Sequence, residues 1–150
     1  MTTAIFTPDV VACRLAATSK KQLLQKLSTM AATRAGLCNR KVLSAIISRE
    51  KLGSTGIGNG PALPHAILES ARRPVTLLAT LETPVEFGSP DNRPVEVMAL
   101  VLGANEDSNG YLSTVNAVSR ILHQRQTQLS DARSEADIRS ALKEVQIVAA

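Results

Sequence analysis

A glycine-rich stretch that ends in a proline and a histidine most constrains how this chain can fold. The stretch REKLGSTGIGNGPALPH runs from Arg49 to His65, with glycines at positions 53, 56, 58 and 60. A helix cannot continue through so many glycines, and they let the backbone pass close to its neighbours, whereas proline fixes φ. His65, one of two histidines in the chain, therefore follows a tight turn at a rigid point. We interpret it as a candidate reactive imidazole.

The glycines do not form either of the common nucleotide-binding motifs. Gly53 and Gly58 have the spacing of a phosphate-binding loop, but Asn59 occupies the position of the required lysine. Gly56 and Gly58 would begin a dinucleotide-binding fingerprint, but Pro61 replaces its third glycine. The chain also contains no GxSxG, the nucleophile motif of many serine hydrolases. Neither nucleotide binding nor serine hydrolysis is indicated.

The stretch closely resembles the active-site segment of the enzyme IIA domains of the bacterial phosphotransferase system. The resemblance is to the fructose/mannitol superfamily and most of all to its nitrogen-regulatory branch. In that family an arginine-glutamate pair precedes a glycine-rich turn and a short strand that ends in Pro-His, and the histidine accepts a phosphoryl group. The matching positions are Arg49, Glu50, Gly53, Ser54, Thr55, Gly56, Ile57, Gly58, Gly60, Pro64 and His65. More loosely, the resemblance covers about residues 5 to 145.

The resemblance implies that His65 is the phosphoryl acceptor and that Arg49 lies near it. Neutral imidazole is a nucleophile near pH 7, and its phosphoramidate passes the group on readily. The Arg49 guanidinium is always charged and can bind phosphate in a bidentate manner, although a solvated helix-end role is the alternative. The hydroxyls of Ser54 and Thr55 can donate to a phosphoryl oxygen or serve only the turn. We expect His123 to be a surface residue.

The chain departs from the family pattern at three positions. Members commonly carry a second histidine at the start of the helix after the VMALVL-like strand, and the alignment places Tyr111 there. Ser113 occupies another position that is sometimes histidine, and Ala66 follows Pro-His where many relatives have glycine. A tyrosine hydroxyl can donate one hydrogen bond to a phosphoryl oxygen but stays neutral.

Apolar spacing predicts four helices. A helix over residues 19 to 35 begins at the N-cap Ser19 and ends before Gly36, and a second follows Asn39 as its cap. A third begins at Ser108. The fourth begins near Ser134, which forms a capping-box pattern with Asp137. The apolar stripe of this last helix consists of Ile138, Leu142 and Val145.

Two apolar runs, Val75 to Leu81 and Val95 to Leu102, predict strands covered on both faces. Turn-forming residues 87 to 94 separate them, so we expect antiparallel neighbours, with a shorter strand at residues 62 to 65 nearby. No repeat or linker divides the chain, which predicts one domain over residues 1 to 150 with its core at about 5 to 145. The expected fold class is α/β, and the resemblance implies a mixed sheet flanked by helices on both faces.

Composition excludes several classes of function. No stretch approaches the ~20 apolar residues of a membrane span, and the N-terminus lacks a secretion signal, so we expect a cytoplasmic protein. Cys13 and Cys38 fit neither a disulfide framework nor a metal site, and no cofactor is indicated. The net charge is +4, but the basic residues are dispersed and the chain has only three aromatic residues on which bases could stack. We expect a protein partner rather than nucleic acid.

Three hypotheses on function remain at this point. In the first, the chain is a free-standing nitrogen-type enzyme IIA that receives a phosphoryl group on His65 from an HPr-like phosphocarrier and regulates target proteins by its phosphorylation state. In the second, it is a sugar-specific enzyme IIA that passes the phosphoryl group to a IIB domain. In the third, it is an interaction module that has lost phosphotransfer, as the replacement of the second histidine by Tyr111 would allow. Whether the chain is an enzyme depends on which of these three hypotheses holds. The sequence does not predict its oligomeric state.

Overall fold

Two long adjacent strands form the centre of the molecule. The computed structural model describes residues 2–143 and 146–149. In chain order its elements are β1 (Thr2–Ile5), β2 (Val10–Leu15), α1 (Lys20–Ala35), α2 (Asn39–Lys51), β3 (Pro61–Ala62), β4 (His65–Leu68), β5 (Val75–Val85), β6 (Val95–Ala104), α3 (Ser108–Gln124), α4 (Gln126–Ser130), α5 (Glu135–Lys143) and β7 (Gln146–Ala149).

The main sheet is mixed and has five strands. β5 and β6 are antiparallel neighbours, which confirms the predicted pair. β2 adds to β5 in parallel, and β3 and β4 both run parallel to β6. β1 and β7 form a separate antiparallel pair. Local sequence patterns did not predict β1, β2, β7 or α4.

Alternate residues of β5 and β6 point to opposite faces of the sheet, and both faces are covered. On one face Leu77 and Leu100 belong to a core that includes Leu27 of α1 and Ile46 of α2. On the other face the buried set includes residues of β5, β6, α3 and α5, namely Leu78, Val97, Ala99, Val118, Ile121 and Ile138. This burial on both faces explains the continuous apolar runs and confirms the α/β architecture with flanking helices.

The predicted cap of α1 is correct and that of α2 is wrong. Ser19 Oγ accepts a hydrogen bond from the Gln22 amide at 3.1 Å, and Gly36 ends α1 in the left-handed conformation. For α2 the N-cap is Cys38, and Asn39 is already the first helical residue. The backbone at Cys38 is extended and its carbonyl accepts the first helical bond, from Val42 at 3.1 Å, so the cap lies one residue earlier than the asparagine suggested.

The later helices begin as the sequence predicted. α3 starts at Ser108, where the Asp107 carboxylate accepts from the Gly110 amide at 3.0 Å. Before α5, Ser134 Oγ accepts from the Asp137 amide at 3.1 Å, as in a capping box. The Asp137 carboxylate bonds the Arg133 amide rather than that of Ser134. Val145, predicted on the apolar stripe, lies outside the described residues.

The short strand predicted at residues 62 to 65 is divided into β3 and β4. His65 begins a strand instead of ending one. Pro64 has no N–H to donate to a strand ladder. The Leu63 amide instead donates to Thr55 O in the glycine-rich turn at 2.9 Å, while Pro64 O accepts from the Val101 amide at 3.0 Å. The chain thus pairs with β6 both before and after residues 63 and 64. Between the two strands, the Leu63 amide bonds to the glycine-rich turn.

Candidate functional site

His65 is held at the start of β4 with one ring nitrogen already occupied. It lies opposite Val101 of β6 and is partly exposed. Its Nδ1 is 2.7 Å from the carbonyl oxygen of Leu63. A carbonyl can only accept, so Nδ1 carries the proton and the neutral ring keeps its lone pair on Nε2. Nε2 is therefore the nucleophilic atom of this imidazole.

An open cleft of about 430 Å³ brings His65 together with Arg49 and Tyr111, two of the other residues singled out in the sequence. They come from three different elements, namely β4, the last turn of α2 and the first turn of α3. The full lining is Ala45, Ser48, Arg49, Leu52, His65, Ala66, Ile67 and Tyr111. Ala66, the residue that follows Pro64 and His65, is part of this wall.

Tyr111 is buried beside the imidazole. The two ring centroids are 6.2 Å apart and the ring planes are inclined by 46°. Under the tyrosine lies Gly103 of β6, where a Cβ atom would collide with the Tyr111 ring. Only glycine leaves room for the ring at this position. Gly103 was not predicted as part of the site, although a glycine inside an apolar strand is a signal of such a close approach.

Burial and a neighbouring charge act on Tyr111 in opposite directions. Burial raises the pKa of its hydroxyl, and the positive charge of Arg49 partly opposes this shift. The hydroxyl is consequently a neutral donor at physiological pH. Arg49 Nη1 donates to Gly53 O at 2.9 Å, just after the C-terminus of α2. Its guanidinium has further N–H groups with which to bind an anion in the cleft.

The hydroxyls of Ser54 and Thr55 serve the glycine-rich turn. Ser54 Oγ donates to Phe87 O at 3.0 Å and accepts from the Gly56 amide at 3.1 Å. The Thr55 hydroxyl is buried and bonds the Glu50 carboxylate. Neither residue lines the cleft around His65. These contacts favour the turn-forming role for both.

Glu50 connects three parts of the fold around this turn. Its side chain is only 6% exposed, and its carboxylate is 2.7 Å from Lys20 Nζ and accepts from the Thr55 amide at 3.2 Å. Lys20 Nζ also donates to Phe87 O at 3.0 Å and lies 4.3 Å from the centroid of the Phe87 ring. The start of α1 is thus fixed to the end of α2 and to the turn before His65. Lys20 was missed because its partner lies thirty positions away.

The rim of the cleft is apolar. Within the described part of the chain the exposed large hydrophobic residues are Leu52, Ile67 and Leu112, at 85%, 41% and 57%. Leu52 and Ile67 line the cleft, and Leu112 follows Tyr111 in α3. His123 is exposed on the last turn of α3, as predicted.

Among residues 2–143 and 146–149, no three His, Cys, Asp or Glu side chains are grouped to hold a metal ion. No helix formed by these residues has the length and apolar character needed to cross a membrane.

Curated proteins related to this chain carry a regulatory name. The chain is similar to a nitrogen regulatory protein of Klebsiella oxytoca, at 42% identity over 105 residues, which is 69% of this chain and 65% of that relative. It is also similar to a nitrogen regulatory protein of Bradyrhizobium diazoefficiens, at 34% identity over 120 residues, covering 80% of this chain and 78% of the relative.

The fold and a family model agree with these matches. The crystal structure of the nitrogen regulatory protein IIA-Ntr from Neisseria meningitidis superposes with a TM-score of 0.78 at 24% identity, over 89% of this chain and 92% of that one. Residues 4–145 match the model of the phosphoenolpyruvate-dependent sugar phosphotransferase system, EIIA 2. The chain belongs to this enzyme IIA family of the phosphotransferase system.

Proposed function

We propose that this protein is a nitrogen-type enzyme IIA that accepts a phosphoryl group on His65 from an HPr-like phosphocarrier and regulates partner proteins by its phosphorylation state. The observation that carries the proposal is the bond from His65 Nδ1 to Leu63 O, which leaves the lone pair on Nε2 in a cleft lined by Arg49 and Tyr111. A nucleophile, a fixed cation and a neutral donor are thus close together.

The transfer step needs no proton movement at the nucleophile. Nε2 of His65 attacks phosphorus and forms an N–P bond while the bond from phosphorus to the carrier breaks, and the bonding pair leaves with the carrier. The ring becomes positively charged, and Leu63 O stabilises that charge by accepting from Nδ1–H. Arg49 offsets the phosphoryl charge and the Tyr111 hydroxyl donates to a phosphoryl oxygen.

The apolar rim supports a protein as the phosphoryl donor. Leu52 and Ile67 line the cleft and are exposed to solvent, and Leu112 is exposed next to Tyr111 in α3. Exposed apolar residues around a polar centre are typical of protein docking surfaces. The same surface would face any regulated partner, and a phosphoryl dianion added at its centre would change which partners bind.

The relatives named nitrogen regulatory protein support the regulatory role over sugar transport. The second candidate is a sugar-specific enzyme IIA that passes the group to a IIB domain, and it is favoured by the family description, which names a sugar phosphotransferase system. A module without phosphotransfer is the third hypothesis, and it depends on the loss of the second histidine to Tyr111.

Phosphorylation by a reconstituted relay tests the central claim. With phosphoenolpyruvate, enzyme I and an HPr-like phosphocarrier, the chain should acquire one phosphate that is labile in acid and stable in base. His65→Ala should lose this label and remain folded, and His123→Ala is the matched control and should label like wild type. Normal labelling of His65→Ala would refute the assignment, and an unlabelled wild-type chain would favour the interaction module.

Partner capture separates the two phosphotransfer hypotheses. Wild type and His65→Ala are each incubated under phosphorylating and non-phosphorylating conditions before a pull-down. For a regulator, partners should differ between the two conditions for wild type and not for His65→Ala. Rapid loss of the label to an added IIB domain, with no change in captured proteins, would support the sugar-specific role instead.

A further inference from the structure

A second cleft, of about 590 Å³, lies outside the proposed phosphotransfer site. It is formed between the end of α1 and the loop that connects β4 to β5. Three arginines line it, Arg34 from α1 and Arg72 with Arg73 from the loop. None of its lining residues belongs to the cleft around His65. The arginines are far apart in sequence, so no linear motif reveals them.

Most of this positive charge is not neutralised by the protein. Among the described residues neither Arg34 nor Arg72 has a hydrogen bond or an ion pair. Arg73 Nη1 is 3.3 Å from Asp9 Oδ1, but the Asp9 carboxylate already accepts from the Thr76 amide at 2.9 Å. Counting the charged lining residues and Asp9, the one carboxylate paired with them, three guanidiniums and one carboxylate leave an excess of about two positive charges.

The negative end of the α1 dipole does not cancel this excess. A helix C-terminus carries about half a negative charge, and part of it is satisfied here because the Gly36 and Leu37 amides both donate to Ala32 O. Guanidinium groups bind phosphate in a bidentate geometry. Two or three of them around one concavity are suited to an anion with more than one phosphate.

Apart from the arginines, Gly36 and Ser70, the lining residues of this cleft are apolar. Ala35, Leu37, Ala71 and Val75 contribute to its wall. Its volume lies within the range of about 300 to 1,000 Å³ that is usual for small-molecule sites. Such a wall offers a place for the organic part of a ligand whose phosphates contact the arginines.

We propose that the cleft between α1 and the β4–β5 loop binds a small molecule of the nucleoside diphosphate class, with its diphosphate group on Arg34, Arg72 and Arg73. The site lies apart from His65 and does not depend on phosphotransfer. Binding there is electrostatic in large part. Because the arginines are exposed, salt screens their charge, and binding weakens as salt is added.

Calorimetric titration with two probes, ADP and inorganic pyrophosphate, tests the proposal on the full chain. Both probes should bind, and ADP should bind more tightly because its organic part contacts the apolar wall. Arg34→Gln and Arg72→Gln should each weaken ADP binding about 10-fold, the value of one charge-assisted hydrogen bond. ADP that binds no better than pyrophosphate would overturn the assignment of an organic ligand.

Two control variants make the result specific. Arg120→Gln removes an exposed arginine of α3 from outside the cleft and should leave ADP affinity unchanged. An equal loss in Arg120→Gln would show a general charge effect and overturn the site. His65→Ala should bind ADP like wild type, which separates this test from that of the proposed function. Absence of binding by both probes at low salt would also overturn the proposal.

Discussion

At the scale of single residues, the proposed site depends on three side chains with different ionic behaviour. His65 is the proposed nucleophile, with its tautomer set by Leu63 O. Arg49 is a permanent cation, and Tyr111 is a buried donor whose pKa is raised by that burial. Tyr111 therefore contributes a hydrogen bond and no charge, so Arg49 supplies the fixed positive charge of this triad.

Tyr111→Phe removes only the hydroxyl and tests its role. A hydrogen bond to a charged group contributes ~1.5–3 kcal/mol, so phosphorylation of His65 should slow by about 10- to 100-fold without unfolding. Because the pKa is raised, the hydroxyl keeps its proton from pH 6 to 8 and the ratio of wild-type to variant rates should be constant there. Identical time courses would make Tyr111 a packing residue.

Tyr111→His provides the complementary comparison. Tyr111→His should largely restore the phosphorylation rate that Tyr111→Phe loses. The rate of Tyr111→His should also depend on pH near neutrality, because the charge of the imidazole changes there. The same labelling assay over pH 6 to 8 measures both effects.

Arg49→Lys preserves the charge but removes the planar fork. If Arg49 binds the phosphoryl group, phosphorylation should slow markedly, by about 10-fold, while thermal stability changes little. The measurement is the initial labelling rate with the unfolding midpoint determined in parallel. Unchanged rates would return Arg49 to a solvated helix-end role, and a loss of stability would make its bond to Gly53 O structural.

At the scale of elements, the turn before His65 is fixed by contacts to α2, which is itself paired with the start of α1. Glu50 at the end of α2 bonds Thr55 in the turn and pairs with Lys20 at the start of α1. At Gly56 a Cβ atom would collide with the Ser89 side chain, so the turn also packs closely against residues 87 to 94. The geometry of His65 is thus coupled to the packing of α1 on α2.

Glu50→Gln should destabilise the fold because it removes the negative charge that is paired with Lys20 at a site where the Glu50 side chain is largely buried. We expect a loss of about 2 kcal/mol in the free energy of unfolding, measured by chemical denaturation at pH 7. Glu135→Gln is the control, since it breaks an exposed pair with Arg139 and should cost less than about 0.5 kcal/mol. Equal effects of the two substitutions would contradict the role given to Glu50.

At the scale of the whole molecule, charged and apolar surfaces are separated. Leu52 and Ile67 are exposed apolar residues on the wall of the cleft with His65, whereas the arginine cleft is built from other residues at the end of α1 and in the β4–β5 loop. A protein docked on the rim would not need to cover the arginine cleft. The proposed partner binding and the proposed small-molecule binding therefore use different residues.

Leu52→Ser tests the docking role of the rim. Because Leu52 is almost fully exposed, its loss should leave stability within about 0.5 kcal/mol, but the KM for the phosphocarrier should rise about 10-fold as apolar contact is lost. Phosphoramidate, a small phosphoryl donor, is the control because it needs no docking. Slower labelling by phosphoramidate as well would place the effect of Leu52 on the chemistry rather than on docking.

Features that depend on neighbouring residues could be predicted from the sequence alone. Ser19 and Gly36 delimit α1 because a cap and a left-handed residue act within one turn of helix. The apolar runs at residues 75 to 81 and 95 to 102 marked the two central strands, and the motif ending in Pro64 and His65 indicated the candidate site that is proposed for phosphotransfer. Each of these signals spans only a few residues of chain.

Contacts between distant segments depend instead on the tertiary structure. The position of His65 at the start of a strand, the pair of Lys20 with Glu50 and the packing of Tyr111 on Gly103 all depend on strand register and helix packing. The placement of Arg34 in the same cleft as Arg72 and Arg73 also depends on tertiary packing. Local propensity and periodicity carry no information on such pairs, because their energies arise only when the core brings the segments together.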